Sequence, residues 1–304
     1  MPIRSLRQLR DVPHPPWIWD GFIAPKNFTL FSAYPKVGKT TLLFHMLKAL
    51  MMGAAFLDRA TRQVPILYIS EEPDTLLAER ADAFGFDNDW PIGWLTHEPG
   101  MSWEKCLYYM KRYVWQYHNP LIICDTLSRF WSAQSENDAS QVTQAMNPVL
   151  EIVRNSEAAF FGIHHNRKQG GGAGMAVRGS TALTGGVDII MELARTSGYD
   201  RSSVRRLMCE SRYSETPNAL HLRLEDGIYH VEDEEAIELE PRIVVFLQTV
   251  EGVTLADIVF MLDIPETTAR RVVTGLVQRG IVTRDGTGTS RSPFRYTLSV
   301  LSES

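Results

Sequence analysis

Over the first two-thirds of the chain, short runs of consecutive apolar residues alternate with longer segments in which apolar positions recur every three or four residues. The runs predict strands over 28–32, 64–70, 121–124 and 158–164. The longer segments predict helices over 39–52, 73–84, 103–118 and 140–155, the second stopped by Gly85. Apolar strands buried on both faces and alternating with helices imply βαβ units and a mostly parallel sheet.

Near residue 187 the rhythm changes. Strands are predicted over 187–194, 204–211, 219–224 and 228–231 with no helix between them, and Asp226-Gly227 supplies a tight turn between the last two. This implies an antiparallel extension at the sheet edge. Glu232-Asp233-Glu234-Glu235 then reads as the start of an acidic linker over 232–240. Beyond it come helices over 243–250, 254–262 and 266–279, the second opened by a Thr254 cap three residues before Asp257 and the third closed by Gly280. Two strands, 281–284 and 294–298, flank a glycine-rich tip. The chain therefore divides into a proline- and aromatic-rich lead-in (1–20), an α/β domain (21–231), the linker (232–240) and a small C-terminal domain (241–304).

Composition narrows the classes. The chain has 304 residues, 44% hydrophobic and 22% charged, which suits a globular protein with a sizeable core. No apolar run approaches the roughly 18 residues of a membrane span. The basic residues near the start have no apolar stretch behind them, so no secretory signal is expected. Cys106, Cys124 and Cys209 form no CxxC pair, which argues against a disulfide framework or a cysteine-built zinc site and for a reducing, cytoplasmic setting. The net charge of −5 means that any nucleic-acid binding must use a local basic surface.

The strongest chemical signal is Ala33-Tyr34-Pro35-Lys36-Val37-Gly38-Lys39-Thr40, between the first predicted strand and the first long helix. It fits the phosphate-binding P-loop with alanine in place of the first glycine. Backbone N–H groups of such a loop and of the helix start surround phosphate oxygens. Gly38 permits close backbone approach, Lys39 reaches the β- and γ-phosphates, and the Thr40 hydroxyl ligates Mg²⁺. The candidate ATP-binding residues are thus Ala33, Pro35, Lys36, Val37, Gly38, Lys39, Thr40 and Thr41.

Three further polar signals end predicted strands, where ligands bind in parallel α/β sheets. Asp125 closes an apolar run and would support magnesium together with Thr40; alone, such an aspartate is as easily a helix cap or turn residue. Glu71 and Glu72 follow the strand at 64–70. Either can activate water or simply favour the N-terminus of the next helix, and Glu71 is the candidate base. His164 and His165 end the strand at 158–164, where a histidine can contact phosphate or serve as an ordinary surface group. The segment 166–181 is glycine-rich and without apolar periodicity. Within it, Arg178 is a candidate finger for a neighbouring subunit's phosphate, and Arg167 and Lys168 are candidate nucleic-acid contacts.

On these residues the chain resembles the RepA-like hexameric helicase/ATPase family of RecA-like P-loop ATPases. The matching stretches are Pro16-Trp17-x-Trp19-Asp20-Gly21, Pro35 to Thr40, Ser70-Glu71-Glu72-Pro73, Ile122 to Asp125, His164-His165 and Arg178-Gly179-Ser180, spread over residues 12–230. The resemblance implies a RecA-like fold, ATP hydrolysis at subunit interfaces, and a homo-oligomeric, hexameric ring with DNA-binding loops lining its pore. It makes Glu71 the catalytic base, His165 the phosphate sensor and Arg178 the trans-acting finger, with 128–140 and 170–174 as pore loops. It supports ATPase more directly than helicase.

The C-terminal pattern of three helices and a hairpin resembles a winged helix–turn–helix domain. From Ile264 to Leu298 six arginines stand against Glu266 and Asp285, a local balance of +4. Thr267, Thr268, Arg270 and Arg271 lie near the start of the recognition helix and Arg291 in the wing tip, positions that meet DNA in such domains, although winged helices also bind proteins. The sequence thus reads as a Mg²⁺-dependent ATPase of the RecA-like class acting on DNA. The alternatives are an ATP-gated DNA-binding regulator with slow hydrolysis and an adaptor without a DNA role.

Overall fold

The computed structural model describes residues 5–10, 15–98, 101–133, 135, 138–165, 181–196 and 204–299. They form two compact units, one ending at Val231 and the other beginning at Glu232.

In the first unit a short helix α1 (Leu6–Arg10) precedes β1 (Phe28–Ala33), α2 (Lys39–Met52), β2 (Ile66–Ser70), α3 (Asp74–Ala83) and β3 (Ile92–Thr96). Then follow α4 (Trp103–Gln116), β4 (Leu121–Asp125), α5 (Leu127–Phe130), α6 (Ala139–Arg154), β5 (Ala159–His165) and α7 (Thr181–Gly186). The unit closes with β6 (Ile189–Arg195), β7 (Val204–Ser211), β8 (Ala219–Glu225) and β9 (Ile228–Glu232). These strands make one sheet of order β3-β2-β4-β5-β1-β6-β7-β8-β9. Pairing is parallel from β3 to β6 and antiparallel through β6, β7 and β8. The β8–β9 turn has positive φ at both Asp226 and Gly227, the conformation that Asp-Gly favours in a two-residue hairpin. The expected α/β fold with an antiparallel edge extension is the fold observed.

Alternation along each strand explains why the sheet carries two cores. Ile66 and Tyr68 on β2, Leu121 and Ile123 on β4, and Phe31 on β1 join the α2 side chains on one face. Their neighbours Leu67, Ile69, Ile122, Cys124 and Leu30 join α4, α5 and α6 on the other. The stretch expected as a lead-in ends inside the first core: Ile18 and Trp19 are buried, and the Trp19 indole donates to the Phe56 carbonyl at 3.1 Å. The sequence reading missed α1, β3, α5 and α7. Burial pushes the Cys106 thiol up to about 11 and the Cys209 thiol to about 12, so both behave as packing groups.

The second unit contains α8 (Glu234–Thr249), α9 (Leu255–Leu262), α10 (Glu266–Gln278) and the antiparallel pair β10 (Val282–Asp285) and β11 (Arg295–Leu298). The acidic stretch expected as a linker is instead the beginning of α8. Asp233 caps it by accepting from the Glu235 N–H, and Ala236, Ile237 and Leu239 bury beside Ile243, Val244 and Leu247. Thr254 and Asp257 form the expected reciprocal cap on α9. No helix among the described residues is long and apolar enough to cross a membrane.

Candidate functional site

Strand register brings the functional side chains together. Ser70 pairs with Asp125, Ser32 with His164 and Ala33 with His165, so the C-terminal ends of β2, β4, β1 and β5 lie in line. The loop after β1 turns over these ends and leads into α2. Gly38 is the N-cap of that helix, with φ 104°, and supplies no side-chain cap, so the first N–H groups of α2 are left for a ligand. A cleft of about 400 Å³ opens there.

From the loop, Pro35, Lys36, Gly38, Lys39, Thr40 and Thr41 line the cleft, together with Tyr34, which the sequence reading did not single out. From the neighbouring strand ends come Glu71, Glu72, Asp125 and His165. Ala33 and Val37 do not line it: Ala33 ends a buried strand and the Val37 side chain is packed into the core.

Asp125 is engaged through both oxygens. The Lys39 ammonium lies 2.7 Å from Oδ1, with both side chains about nine-tenths buried, and the Tyr68 hydroxyl donates to Oδ2 at 2.9 Å. Burial, reinforced by the Asp125 carboxylate, pushes the Tyr68 phenol well above its ordinary value, so it is a fixed donor. Tyr68 looked like an ordinary strand residue in the sequence. The peptide between Asp125 and Thr126 is cis.

The two glutamates separate. Glu72 is ion-paired with Arg80 one helix face away, and its N–H donates to Ser70 Oγ at 3.0 Å. Glu71 accepts from the Thr126 hydroxyl at 3.4 Å, and its N–H donates to the Asp125 carbonyl at 3.0 Å. Thr126 too went unremarked in the sequence. His165 has a buried Nδ1 without a hydrogen-bond partner among the described residues. Burial first, then the Lys39 charge, lowers its pKa below 6.5, against opposing contributions from Asp125 and Glu71. His165 is therefore neutral at neutral pH. Its neutral form favours the folded state above pH 6.5, an advantage lost as pH falls through the lowered value. An imidazole titration followed by NMR should give a midpoint below 6.5 that rises in K39A; a wild-type midpoint at or above 6.5 would contradict this placement.

Oxygen donors suit magnesium, and Thr40 and Asp125 present a hydroxyl and a carboxylate to the same cleft. Elsewhere among the described residues, no group of three or more His, Cys, Asp or Glu side chains is placed to hold a metal. Arg167, Lys168 and Arg178, and the expected pore loop at 170–174, lie outside the described residues.

In the second unit, α9 and α10 are joined by a short turn in which Asp263 adopts φ 50°. Thr267 and Arg291 are exposed. Arg270 pairs with Glu266 at 2.5 Å and Arg271 with Asp233 at 3.0 Å, both at the surface, where such pairs are weak and exchangeable. Thr268 corrects the sequence reading: it is buried and its hydroxyl donates to Glu235 at 3.3 Å, so it does not face a DNA groove.

Comparison with known proteins agrees with this anatomy. The family model described as AAA domain matches residues 6–171, and that of the IclR helix-turn-helix domain matches residues 244–286. Among solved structures, an ATPase domain superposes with a TM-score of 0.53 at 16% identity, over 68% of this chain and 85% of that one. The RadB recombinase gives a TM-score of 0.49 at 14% identity, over 69% of this chain and 93% of that one. No curated protein matches the sequence. The fold is thus RecA-like, followed by a helix–turn–helix domain.

Proposed function

The chain belongs to the AAA domain family, and from that premise we propose that it is a magnesium-dependent ATPase acting on DNA as a ring of identical subunits. The observation that carries this reading is the convergence of Lys39, Thr40, Glu71, Asp125 and His165 on one cleft at the mouth of α2.

Each group has a role that follows from its setting. The helix-start N–H groups and Lys39 hold the phosphates, and Lys39 leaves Asp125 as it does so. Thr40 and Asp125 hold magnesium, whose charge, when bound, offsets the charge on the phosphate oxygens. Glu71, oriented by Thr126 and not tied in an ion pair among the described residues, takes or directs the proton of the attacking water. Glu72 is occupied by Arg80 and keeps the start of α3 in place. Neutral His165 turns its open nitrogen to a phosphate oxygen, and Arg178 reaches the phosphates of the adjoining subunit.

DNA engagement is assigned to Arg167 and Lys168, to the segment 128–140, which begins within α5 and ends in the first turn of α6, to the segment 170–174, and to Thr267, Arg270, Arg271 and Arg291 of the helix–turn–helix domain. A second reading has its own support. The segment 128–140 has a single basic residue, Arg129, beside Glu136 and Asp138, which favours a regulator whose winged helix does the DNA binding and whose hydrolysis is slow. Three unpaired thiol residues fit a cytoplasmic setting for either.

DNA binding across a salt series separates the readings. The ATPase reading predicts affinity that falls linearly on logarithmic axes, a slope reduced by about one in R291A, and hydrolysis stimulated by single-stranded DNA. Salt-dependent binding with unstimulated hydrolysis favours the regulator. No salt-dependent DNA binding by the full chain overturns both.

A further inference from the structure

A phosphate-binding loop works only if its peptide planes face the right way. In a trans peptide the N–H points opposite to the C=O. Whatever holds the outward carbonyls therefore decides where the inward N–H groups lie. Three consecutive carbonyls of this loop accept hydrogen bonds from three different strands of the antiparallel extension. Arg195, ending β6, donates to the Lys36 carbonyl at 2.7 Å. Arg205 on β7 donates through Nε to the Val37 carbonyl at 2.7 Å. Tyr229 on β9 donates its hydroxyl to the Gly38 carbonyl at 3.4 Å. None of the three lines the cleft.

The loop conformation needs such support. Lys36 has φ 62°, a region that a non-glycine residue occupies only when its surroundings hold it there. Gly38 is also left-handed, and a Cβ on it would collide with the Tyr229 hydroxyl, so that strand lies close behind the loop. Arg195 and Arg205 face each other in register across β6 and β7. Like charges so placed repel, and the loop carbonyls between them and the cleft take up that charge. Burial, with Arg195 adding to it, draws the Arg205 guanidinium below its ordinary value.

We propose that Arg195, Arg205 and Tyr229 are positioning residues that set the phosphate-binding loop from behind. They fix the N–H groups of Val37, Gly38 and Lys39 toward the cleft without touching the nucleotide. This inference rests on the nucleotide-binding reading above and extends it. The antiparallel extension becomes a working part of the nucleotide site.

Arg195 is exposed, so its replacement spares the core. The probe is a fluorescent ATP analogue with Mg²⁺, titrated into the full chain as wild type, R195A, R195K and K39A, with nucleotide-free melting temperatures alongside. Losing one charge-assisted bond to the loop should weaken R195A binding about tenfold, and R195K, which keeps a donor, should return to within about threefold of wild type. The R195A melting temperature should stay within about 2 °C of wild type, less than the effect of 1 kcal/mol. Wild-type affinity in R195A, with K39A failing to bind, overturns the positioning role alone. A loss in R195A that R195K does not recover, or that follows a fall in melting temperature, also overturns it. No binding by wild type overturns the nucleotide reading and this inference together.

Discussion

Replacing Glu71 by glutamine is expected to lower the single-turnover rate of MgATP cleavage by about 10²–10⁴-fold, the range for losing a positioned base. Nucleotide affinity should change little, because a carboxylate that acts on the attacking water contributes no bond to the phosphates. E72Q is the internal comparison. Glu72 spends its carboxylate on Arg80 in a pair whose side chains are each 28% exposed, and pairs of that kind contribute little. E72Q should therefore cost less than about tenfold in rate, far below the range for a catalytic base. The contrast comes from backbone position. The Glu71 N–H is bound to the carbonyl of Asp125, and its carboxylate accepts from Thr126, so it is tied to the strand end that carries the candidate magnesium ligand. Glu72 also lines the cleft, but its carboxylate is paired with Arg80 of α3. Equal losses in the two variants, or normal cleavage by E71Q, would reverse the assignment.

Much of this was legible in the sequence because the strands are buried on both faces. Ile122, Ile123 and Cys124 alternate between two cores, so the whole segment is apolar and visible as a strand. The Gly38-Lys39-Thr40 signal was legible for the same reason that it works: glycine, lysine and threonine at that spacing have few structural uses together. Strand β3 was not legible. It is a half-exposed edge strand with Gly93 as its second residue, where a Cβ would press on the Tyr113 ring. Helix α8 was misread because Pro241 suggests a helix start, whereas Asp233 caps the chain eight residues earlier and the acidic side chains alternate with buried Ala236, Ile237 and Leu239.

The site divides in the same way. Groups that line the cleft carry recognisable chemistry: a lysine, carboxylates and a histidine at strand ends. Groups that hold those residues do not. Tyr68 resembles any aromatic strand residue until its hydroxyl is seen on Asp125. Arg195, Arg205 and Tyr229 lie 159 to 191 residues from the carbonyls they bind, and no local pattern connects positions that far apart. Thr268 shows the converse, a residue placed by helix position alone that the packing turned inward.

K39A is expected to have the largest effect on binding. In the folded chain the Lys39 ammonium compensates a carboxylate that is only 9% exposed. Removing it leaves Asp125 with the Tyr68 hydroxyl as its remaining side-chain donor among the described residues, and breaking a buried pair from one side costs at most about 3–5 kcal/mol. The melting temperature should therefore fall. A stable alanine variant would show that water reaches Asp125 more freely than its burial suggests. MgATP affinity should fall by about 100-fold or more, since Lys39 offers charge-assisted bonds to phosphate from the first residue of α2, whereas Lys36, the other lysine of the cleft, is exposed on the loop. The two effects separate because the first is present without ligand and the second is not.

The decisive measurement is accordingly the rise in melting temperature produced by MgATP in wild type and in K39A, each against its own ligand-free value. Wild type at about 100 times its dissociation constant should gain about 2.7 kcal/mol of stability, and K39A at the same concentration should gain almost none. An equal ligand-induced rise in the two proteins would mean that the triphosphate is gripped somewhere other than the loop before α2, and would contradict the account at its base.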